Sequence, residues 1–423
     1  MMIERIQKVI LANGLTVLID PSAANDVVAL LVALKMGCAF EGEDEAGISG
    51  VTQRLLPKGT TTRSAEQIAT DIESLGAKVA TNAGKDYGVI SLIVTRDRLA
   101  EGLPLFFDIL LNANFPEHEV AIEKELTLQK IKAKDDQTLP RAMDLMNEAY
   151  YQTHPYHKPP LGYTETVENV SRGMIEQFYR THLVPERTIV VAVGNLDPEE
   201  FVASVDRALG RILSSEGERR GSSEVTALAP VERSGPSQKT LTRDIKAAWI
   251  SIGYGAPSIN DRDYAPMEVL EAVMGGSMNS RLFIELRDKR GLAYQVGSAY
   301  SARPGPSLYV AYIGTSGDQY AIARDGIFEE VQKIREEPIT AEELLLAQRY
   351  IKGTFIMGQE RNINRASLLA QYELLGLGYS FIEDYPKVID KVAIEDVLSV
   401  ARQYLDTERY AIGAVVPENT VVS

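Results

Sequence analysis

The chain contains only four histidines, His118, His154, His157 and His182, and histidine is the commonest metal ligand in proteins. Helical zinc motifs of peptidases place two histidines four residues apart with a glutamate beside them, as in His-Glu-x-x-His or His-x-x-Glu-His. None of the four histidines belongs to either pattern. The sequence therefore predicts no zinc site of this type.

His154 and His157 are three residues apart and would share one face of a helix, where they could pair on a metal. Pro155, Pro159 and Pro160 interrupt any helix here and favour a loop. We therefore interpret the segment as a turn around His154 rather than as a metal site.

Composition limits the class of protein. A chain of 423 residues is longer than one hydrophobic core ordinarily holds, so it predicts more than one domain. Its 45% of hydrophobic and 24% of charged residues are typical of a globular protein. The formal charge of -15 argues against nucleic-acid binding, which needs a basic surface. The single cysteine, Cys38, excludes disulfide scaffolds and thiolate clusters, and we interpret it as a small buried apolar residue.

No targeting or membrane segment is visible. No apolar run approaches the ~20 residues of a membrane-spanning helix, so we expect no membrane span. The first residues lack the pattern of a secretory signal and that of an Arg/Ser-rich transit leader. On these grounds we expect a cytoplasmic protein.

The two halves of the chain resemble each other. Pro116 and Pro338 each precede a long helical run, and Glu186 and Glu408 each precede an apolar run. Both pairs are 222 residues apart (338 − 116 and 408 − 186). Because two separate landmarks share one offset, the sequence predicts a duplication into two like domains.

A stretch rich in Ser, Gly and charge separates the halves and lacks the apolar area to pack. We place the domains at 1–213 and 238–423, joined by a linker at 214–237.

Each predicted domain mixes strands and helices. Short β-branched runs predict strands, and Ser64 with Gln67 has the pattern of a capping box at a helix start. The order lacks regular strand–helix alternation, so we predict an α+β fold with a mainly antiparallel sheet flanked by helices in each domain. The first half contains predicted strands at 15–20, 27–34, 78–83 and 87–94, and helices at 64–75 and 98–111.

Short motifs along the whole chain resemble the pitrilysin and mitochondrial processing peptidase family. In the first half they are Asn13-Gly14-Leu15-Thr16-Val17, Ala46-Gly47-Ile48, Lys58-Gly59-Thr60, Leu75-Gly76-Ala77, His154-Pro155-Tyr156 and Leu161-Gly162. In the second half they are Ser280-Arg281-Leu282-Phe283, Leu286-Arg287 and Gly291-Leu292-Ala293-Tyr294. The resemblance preserves their order and implies the two-domain fold of that family.

Active members of that family carry His-x-x-Glu-His on a helix, where the glutamate is the base for a zinc-bound water. The resemblance puts the first histidine at Gly50, the glutamate at Gln53 and the second histidine at Arg54. It puts a third ligand at Lys130, 76 residues after Arg54, and a supporting glutamate at Glu123, which is present.

These substitutions remove the chemistry of the motif. Gly50 has no side chain, and the amide of Gln53 takes no proton at neutral pH. Arg54 stays protonated, and Lys130 adds a second positive charge where a dication should lie. We therefore expect no catalytic residue and no cofactor in this chain.

The resemblance also implies a substrate-binding pair in the second half. Active members use an arginine and a tyrosine seven residues apart, and Arg287 and Tyr294 have that spacing. A guanidinium can donate to peptide carbonyls, and a phenol can donate to a developing oxyanion. The alternative is that both are ordinary surface or packing residues.

Together the lost motif and the retained pair imply a non-catalytic, substrate-binding subunit of a heterodimeric zinc peptidase that degrades or processes peptides. Zinc is then expected in a homologous partner subunit, and a homodimer is an alternative when that partner is absent. A scaffold or peptide-binding protein of the same fold, without a proteolytic role, is the second hypothesis. An autonomous peptidase would need a metal site that these residues do not supply.

Overall fold

The computed structural model describes residues 5–212, 228–232 and 234–421, which form two compact units, each built on one sheet. The first unit has a six-stranded sheet in the order β1-β2-β6-β3-β5-β4, in which only β2 and β6 pair in parallel. Its strands are β1 (Gln7–Ile10), β2 (Thr16–Pro21), β3 (Val27–Leu34), β4 (Lys78–Ala83), β5 (Gly88–Thr95) and β6 (Thr188–Gly194).

The second unit has a five-stranded sheet in the order β7-β11-β8-β10-β9, in which only β7 and β11 pair in parallel. Its strands are β7 (Ser237–Arg243), β8 (Ala247–Ala256), β9 (Gln295–Ser301), β10 (Ser307–Ser316) and β11 (Tyr410–Pro417). Strand order and strand directions therefore repeat those of β2, β6, β3, β5 and β4, as the predicted duplication requires.

Helices flank both sheets, so the predicted α+β fold with mainly antiparallel sheets is confirmed. In the described part of the chain they are α1 (Ile48–Leu55), α2 (Ala65–Ser74), α3 (Leu99–Leu111), α4 (Glu117–Asp135), α5 (Thr138–Tyr151), α6 (Thr164–Asn169), α7 (Arg172–His182), α8 (Pro198–Leu209), α9 (Tyr264–Met274), α10 (Tyr320–Glu336), α11 (Ala341–Gly358), α12 (Asn362–Leu374), α13 (Phe381–Asp390) and α14 (Ile394–Tyr404), together with a π-helical segment, Phe283–Lys289.

The core of the first unit lies on one face of its sheet. Strand β3 is buried at every residue except Val27. Its alternate residues Val28, Leu30, Val32 and Leu34 face a cluster built with α1, α3 and α7. The opposite face of β3 packs against α12. Because β3 is buried on both faces, its sequence is apolar throughout rather than alternating.

The compact units do not follow the sequence ranges 1–213 and 238–423 that we predicted for the domains. Residues 132–157 belong to the second unit and residues 357–383 to the first. The reason is packing: α5 lies on β8 and β11, whereas α12 lies on β3 and β6.

A glycine allows the close approach of α5 to the second sheet. A Cβ atom at Gly413 would lie only 2.1 Å from the main-chain oxygen of Ala142 in α5, so a larger residue would push the helix away. The predicted linker, 214–237, lies mostly outside the described residues, and its last residue, Ser237, begins β7.

No helix among the described residues combines the length and the apolar character that crossing a membrane requires.

Candidate functional site

Helix α1 carries three of the positions that the resemblance singles out, and a buried carboxylate fixes its first turn. Glu41 accepts hydrogen bonds from the backbone N–H groups of Gly47 and Ser49, both at 2.9 Å. Burial raises the pKa of Glu41, and the hydrogen bonds from Ser49 and Gly47 oppose that rise. The first-turn N–H groups of a helix need such acceptors, so Glu41 sets where α1 begins.

Lys158 also binds the segment that precedes α1. Its side chain is only 2% exposed, and its Nζ donates to the main-chain oxygen of Glu41 and lies 3.4 Å from the Glu43 carboxylate. Sequence reasoning missed both Glu41 and Lys158, since neither belongs to a motif. The lysine thereby ties the segment that precedes α1 to the segment that contains Pro160.

Arg54, at the end of α1, bridges to α4. Its Nε donates to Glu123, and its Nη2 donates to Thr127 Oγ1 at 2.8 Å. Thr127 in turn donates to the same Glu123 oxygen at 3.1 Å, and Lys130 Nζ lies 3.7 Å from it. The structure therefore brings Arg54, Glu123 and Lys130 together as an ion-pair cluster, and it adds Thr127, which the sequence did not indicate.

The arginine occupies the space beside Gly50. A Cβ atom at Gly50 would lie 3.0 Å from Arg54 Nη1 and 3.0 Å from the main-chain oxygen of Pro160. The cluster offers one carboxylate against two cations, so these residues do not fit a zinc ion. Among the described residues, no group of three or more His, Cys, Asp or Glu side chains could hold a metal.

Gln53 has an unexpected environment. Its side chain is completely buried, and neither its Nε2 nor its Oε1 has a hydrogen-bond partner within the described protein. The amide lies against β5, where a Cβ atom at Gly88 would be 2.3 Å from Nε2. A buried amide without partners costs free energy of folding.

We expect Gln53→Leu to raise the free energy of unfolding by about 1–3 kcal/mol, because it removes two unpaired polar atoms at nearly constant volume. Gln53→Glu should lower it, because it buries a charge in the same place. Urea unfolding followed by far-UV circular dichroism measures both. A loss of stability in Gln53→Leu would contradict the prediction and would mean that ordered water satisfies the amide.

The two histidines near Pro155 and the single cysteine have structural roles. His154 and His157 lie on a turn, where the N–H of His157 donates to the His154 main-chain oxygen at 2.9 Å and the N–H of Tyr156 donates to His154 Nδ1 at 3.2 Å. This confirms the interpretation as a turn. Cys38 is completely buried, as predicted.

Arg287 and Tyr294 lie in the second unit, on either side of a tight connection. Arg287 belongs to the π-helical segment, and Tyr294 immediately precedes β9. Gly291, with φ of +63°, closes the connection through its N–H bond to the Arg287 oxygen at 3.1 Å. A left-handed backbone favours glycine, so Gly291 suits the turn that joins the π-helical segment to β9.

Both side chains are available to a ligand. Tyr294 is 65% exposed, and the Arg287 guanidinium lies 4.8 Å above the Phe283 ring. Within the described residues, Arg287 forms no ion pair with a carboxylate. Phe283 thus holds the guanidinium by a cation–π contact while its N–H donors remain free.

Family models match most of the chain. Residues 16–163 match the model for insulinase, peptidase family M16, and residues 169–351 match the model for the peptidase M16 inactive domain. An uncharacterized zinc protease of Bacillus subtilis is 26% identical over 97% of this chain and 98% of its own length. One of Rickettsia felis is 27% identical over 93% of both chains.

Solved structures share the fold. A protease from Helicobacter pylori superposes with a TM-score of 0.90 at 21% identity, over 97% of this chain and 99% of that one. A peptidase M16 inactive domain from Pseudomonas fluorescens superposes with a TM-score of 0.89 at 20% identity, over 99% of this chain and all of that one (100%). These similarities confirm the predicted fold.

Proposed function

The chain belongs to peptidase family M16, and from this premise we propose that it is the non-catalytic, substrate-binding subunit of a heterodimeric zinc peptidase that degrades or processes peptides. One observation carries the proposal. In the first unit, Arg54 stands where the resemblance assigns a zinc ligand and pairs with Glu123. In the second unit, Arg287 and Tyr294 are exposed.

The ion pair argues that this chain does not generate the nucleophile. A zinc peptidase activates water by lowering its pKa on the metal, and a glutamate then takes the proton. Here Arg54 holds the supporting carboxylate of Glu123, and Gln53 has no basic group. The zinc and the base would therefore come from a homologous partner subunit.

Arg287 and Tyr294 supply the other half of the chemistry. A guanidinium presents a fork of N–H donors to a peptide carbonyl, and a phenol can donate to the oxygen that becomes negative during attack by water. A side chain that serves this purpose must stay unpaired in the free protein, as Arg287 does among the described carboxylates.

The test is to co-express the chain with an M16 chain that bears an intact His-x-x-Glu-His motif and to measure kcat/KM on quenched fluorescent peptides. We expect the pair to exceed the zinc chain alone. Arg287→Ala and Tyr294→Phe should each lower kcat/KM of the pair by about tenfold or more, through loss of a donor to the reacting group.

Arg262→Ala is the matched control, because Arg262 lies in the same unit with a side chain 92% exposed, and it should leave kcat/KM unchanged. The proposal fails if the pair is no more active than the zinc chain alone and Arg287→Ala changes nothing. That result, with co-purification in a large complex, would favour the scaffold hypothesis.

A further inference from the structure

A cavity of about 390 Å³ opens in the second unit between the end of α9 and the middle of α11. Its floor is apolar, with Val273 and Ala347 each only 5% exposed. Its rim is also apolar but faces solvent: Met278 is 77%, Leu346 46% and Tyr350 45% exposed. The volume is within the range of ligand-binding clefts, which are mostly apolar with a few polar groups.

The repeat shows how α11 differs from α4 at the positions that hold Arg54. In the first unit, α4 contributes Glu123 and Thr127, which hold Arg54 in place. The residues 222 positions later on α11 are Leu345 and Arg349. Because an apolar residue and a cation replace the carboxylate and the hydroxyl, these two positions of α11 cannot bind an arginine as Glu123 and Thr127 do.

Among the described residues, one cation that lines the cavity forms no ion pair. Glu343 accepts two hydrogen bonds from Arg281, at 2.7 and 3.1 Å, and one from the N–H of Thr340 at 2.7 Å. Burial alone would raise the pKa of Glu343, but the hydrogen bonds from Arg281 and Thr340 outweigh burial and lower it. The carboxylate of Glu343 is therefore already paired within the protein. Arg349 lines the same cavity and forms no ion pair with any described residue.

We propose that this cavity binds the C-terminal residue of a peptide. An apolar side chain enters between Met278, Leu346 and Tyr350, and the terminal carboxylate pairs with Arg349. The inference rests on the proposed function and adds a subsite to it, one that recognises the end of a peptide chain.

The combination of groups selects this ligand. An apolar floor alone would accept any apolar group, whereas an unpaired guanidinium beside it favours a ligand with an anion next to an apolar side chain. The C-terminal residue of a peptide has that arrangement. A peptide amide keeps the side chain but loses the anion, so it provides a matched probe.

The experiment measures binding of octapeptides to the full chain by isothermal titration calorimetry. Two peptides share one sequence ending in Phe, one with a free carboxylate and one with a C-terminal amide. We expect the acid to bind about tenfold more tightly than the amide, as one charge-assisted contact would give. Arg349→Gln should abolish this preference and leave the affinity for the amide unchanged.

Two further variants complete the test. Leu346→Asp should weaken the binding of both peptides, because it places a charge at the apolar rim. Arg180→Gln, at a side chain 80% exposed in the first unit, is the control and should change neither affinity.

The outcomes separate this inference from the proposed function. Equal affinity for acid and amide, or an equal loss of both in Arg349→Gln, would overturn the subsite while the proposed function stands. Failure of every peptide to bind would count against both. If Leu346→Asp leaves peptide binding intact and abolishes association with the zinc-bearing chain, the face is a subunit contact and the inference fails.

Discussion

Restoring the family's three zinc ligands and its base with Gly50→His, Arg54→His, Lys130→Glu and Gln53→Glu should give a chain that binds one zinc ion, whereas we expect the parent chain to bind none. Residues 50 and 54 are four apart on α1, so two imidazoles would project from one face of the helix. The Arg54–Glu123 contact shows that this face meets α4, where residue 130 lies. Two His and one carboxylate form a catalytic zinc set.

The three ligand positions must be changed together, while Gln53→Glu restores the base. A Cβ atom at Gly50 would lie 3.0 Å from Arg54 Nη1, so a histidine there requires the guanidinium to move or to be replaced. The remaining 3.0 Å approach to the Pro160 oxygen requires a small shift of the neighbouring chain. Elemental analysis after dialysis, and the visible spectrum of the cobalt-substituted protein, measure the gain.

The control for the zinc prediction is the triple variant that retains Arg54. It should bind no zinc, since a guanidinium is never a metal ligand at neutral pH. Stoichiometric zinc in the parent chain, or none in the quadruple variant when it folds as judged by circular dichroism, would contradict the alignment of these four positions with the family motif.

Replacing Asp20 should have the largest effect on stability. Asp20 lies on β2, is completely buried, and accepts from Arg5 Nε at 2.6 Å and from Arg365 Nε on α12. Asp20→Asn removes the charge that compensates the guanidinium of Arg365, whose side chain is only 11% exposed. We expect a loss of about 3–5 kcal/mol, which is typical when one partner of a buried ion pair is removed.

Urea unfolding tests the Asp20 prediction with two signals. The single tryptophan, Trp249, lies on β8 in the second unit, so its fluorescence follows that unit, while far-UV circular dichroism follows both. Asp20→Asn should shift the dichroism midpoint to lower urea more than the fluorescence midpoint. Asp26→Asn, at an exposed site, should change stability by less than about 0.5 kcal/mol. Equal stability of Asp20→Asn and the parent would contradict the prediction.

The sequence by itself determined the local elements and the family. The strands predicted at 27–34 and 78–83 are β3 and β4 with the same bounds. The predicted capping box is present at the start of α2, where Ser64 Oγ accepts from the Gln67 N–H at 3.2 Å and Gln67 Oε1 accepts from the Ser64 N–H at 2.8 Å. Such features depend on neighbours a few residues away, so their patterns are visible in one chain.

The residue types at the four positions that the resemblance assigns to the zinc motif are also visible in sequence, because side-chain chemistry is fixed by residue type. The contacts that the residues at these positions form are not visible in sequence. The Arg54–Glu123 contact joins residues 69 positions apart, and Lys158 reaches Glu41 across 117 positions. Local patterns carry no information about which side chains meet at such separations.

Only the tertiary structure decided the composition of the compact units and the position of the open cavity. The amphipathic faces of α5 and α12 are equally compatible with either sheet in sequence, and packing on β11 and on β3 placed each with strands from the opposite half. No sequence pattern distinguishes Arg349 from other charged residues, and only the packing of α9 and α11 places an apolar cavity beside it. The burial of the cavity floor and the lack of an ion-pair partner for Arg349 among the described residues depend on residues that only folding brings together.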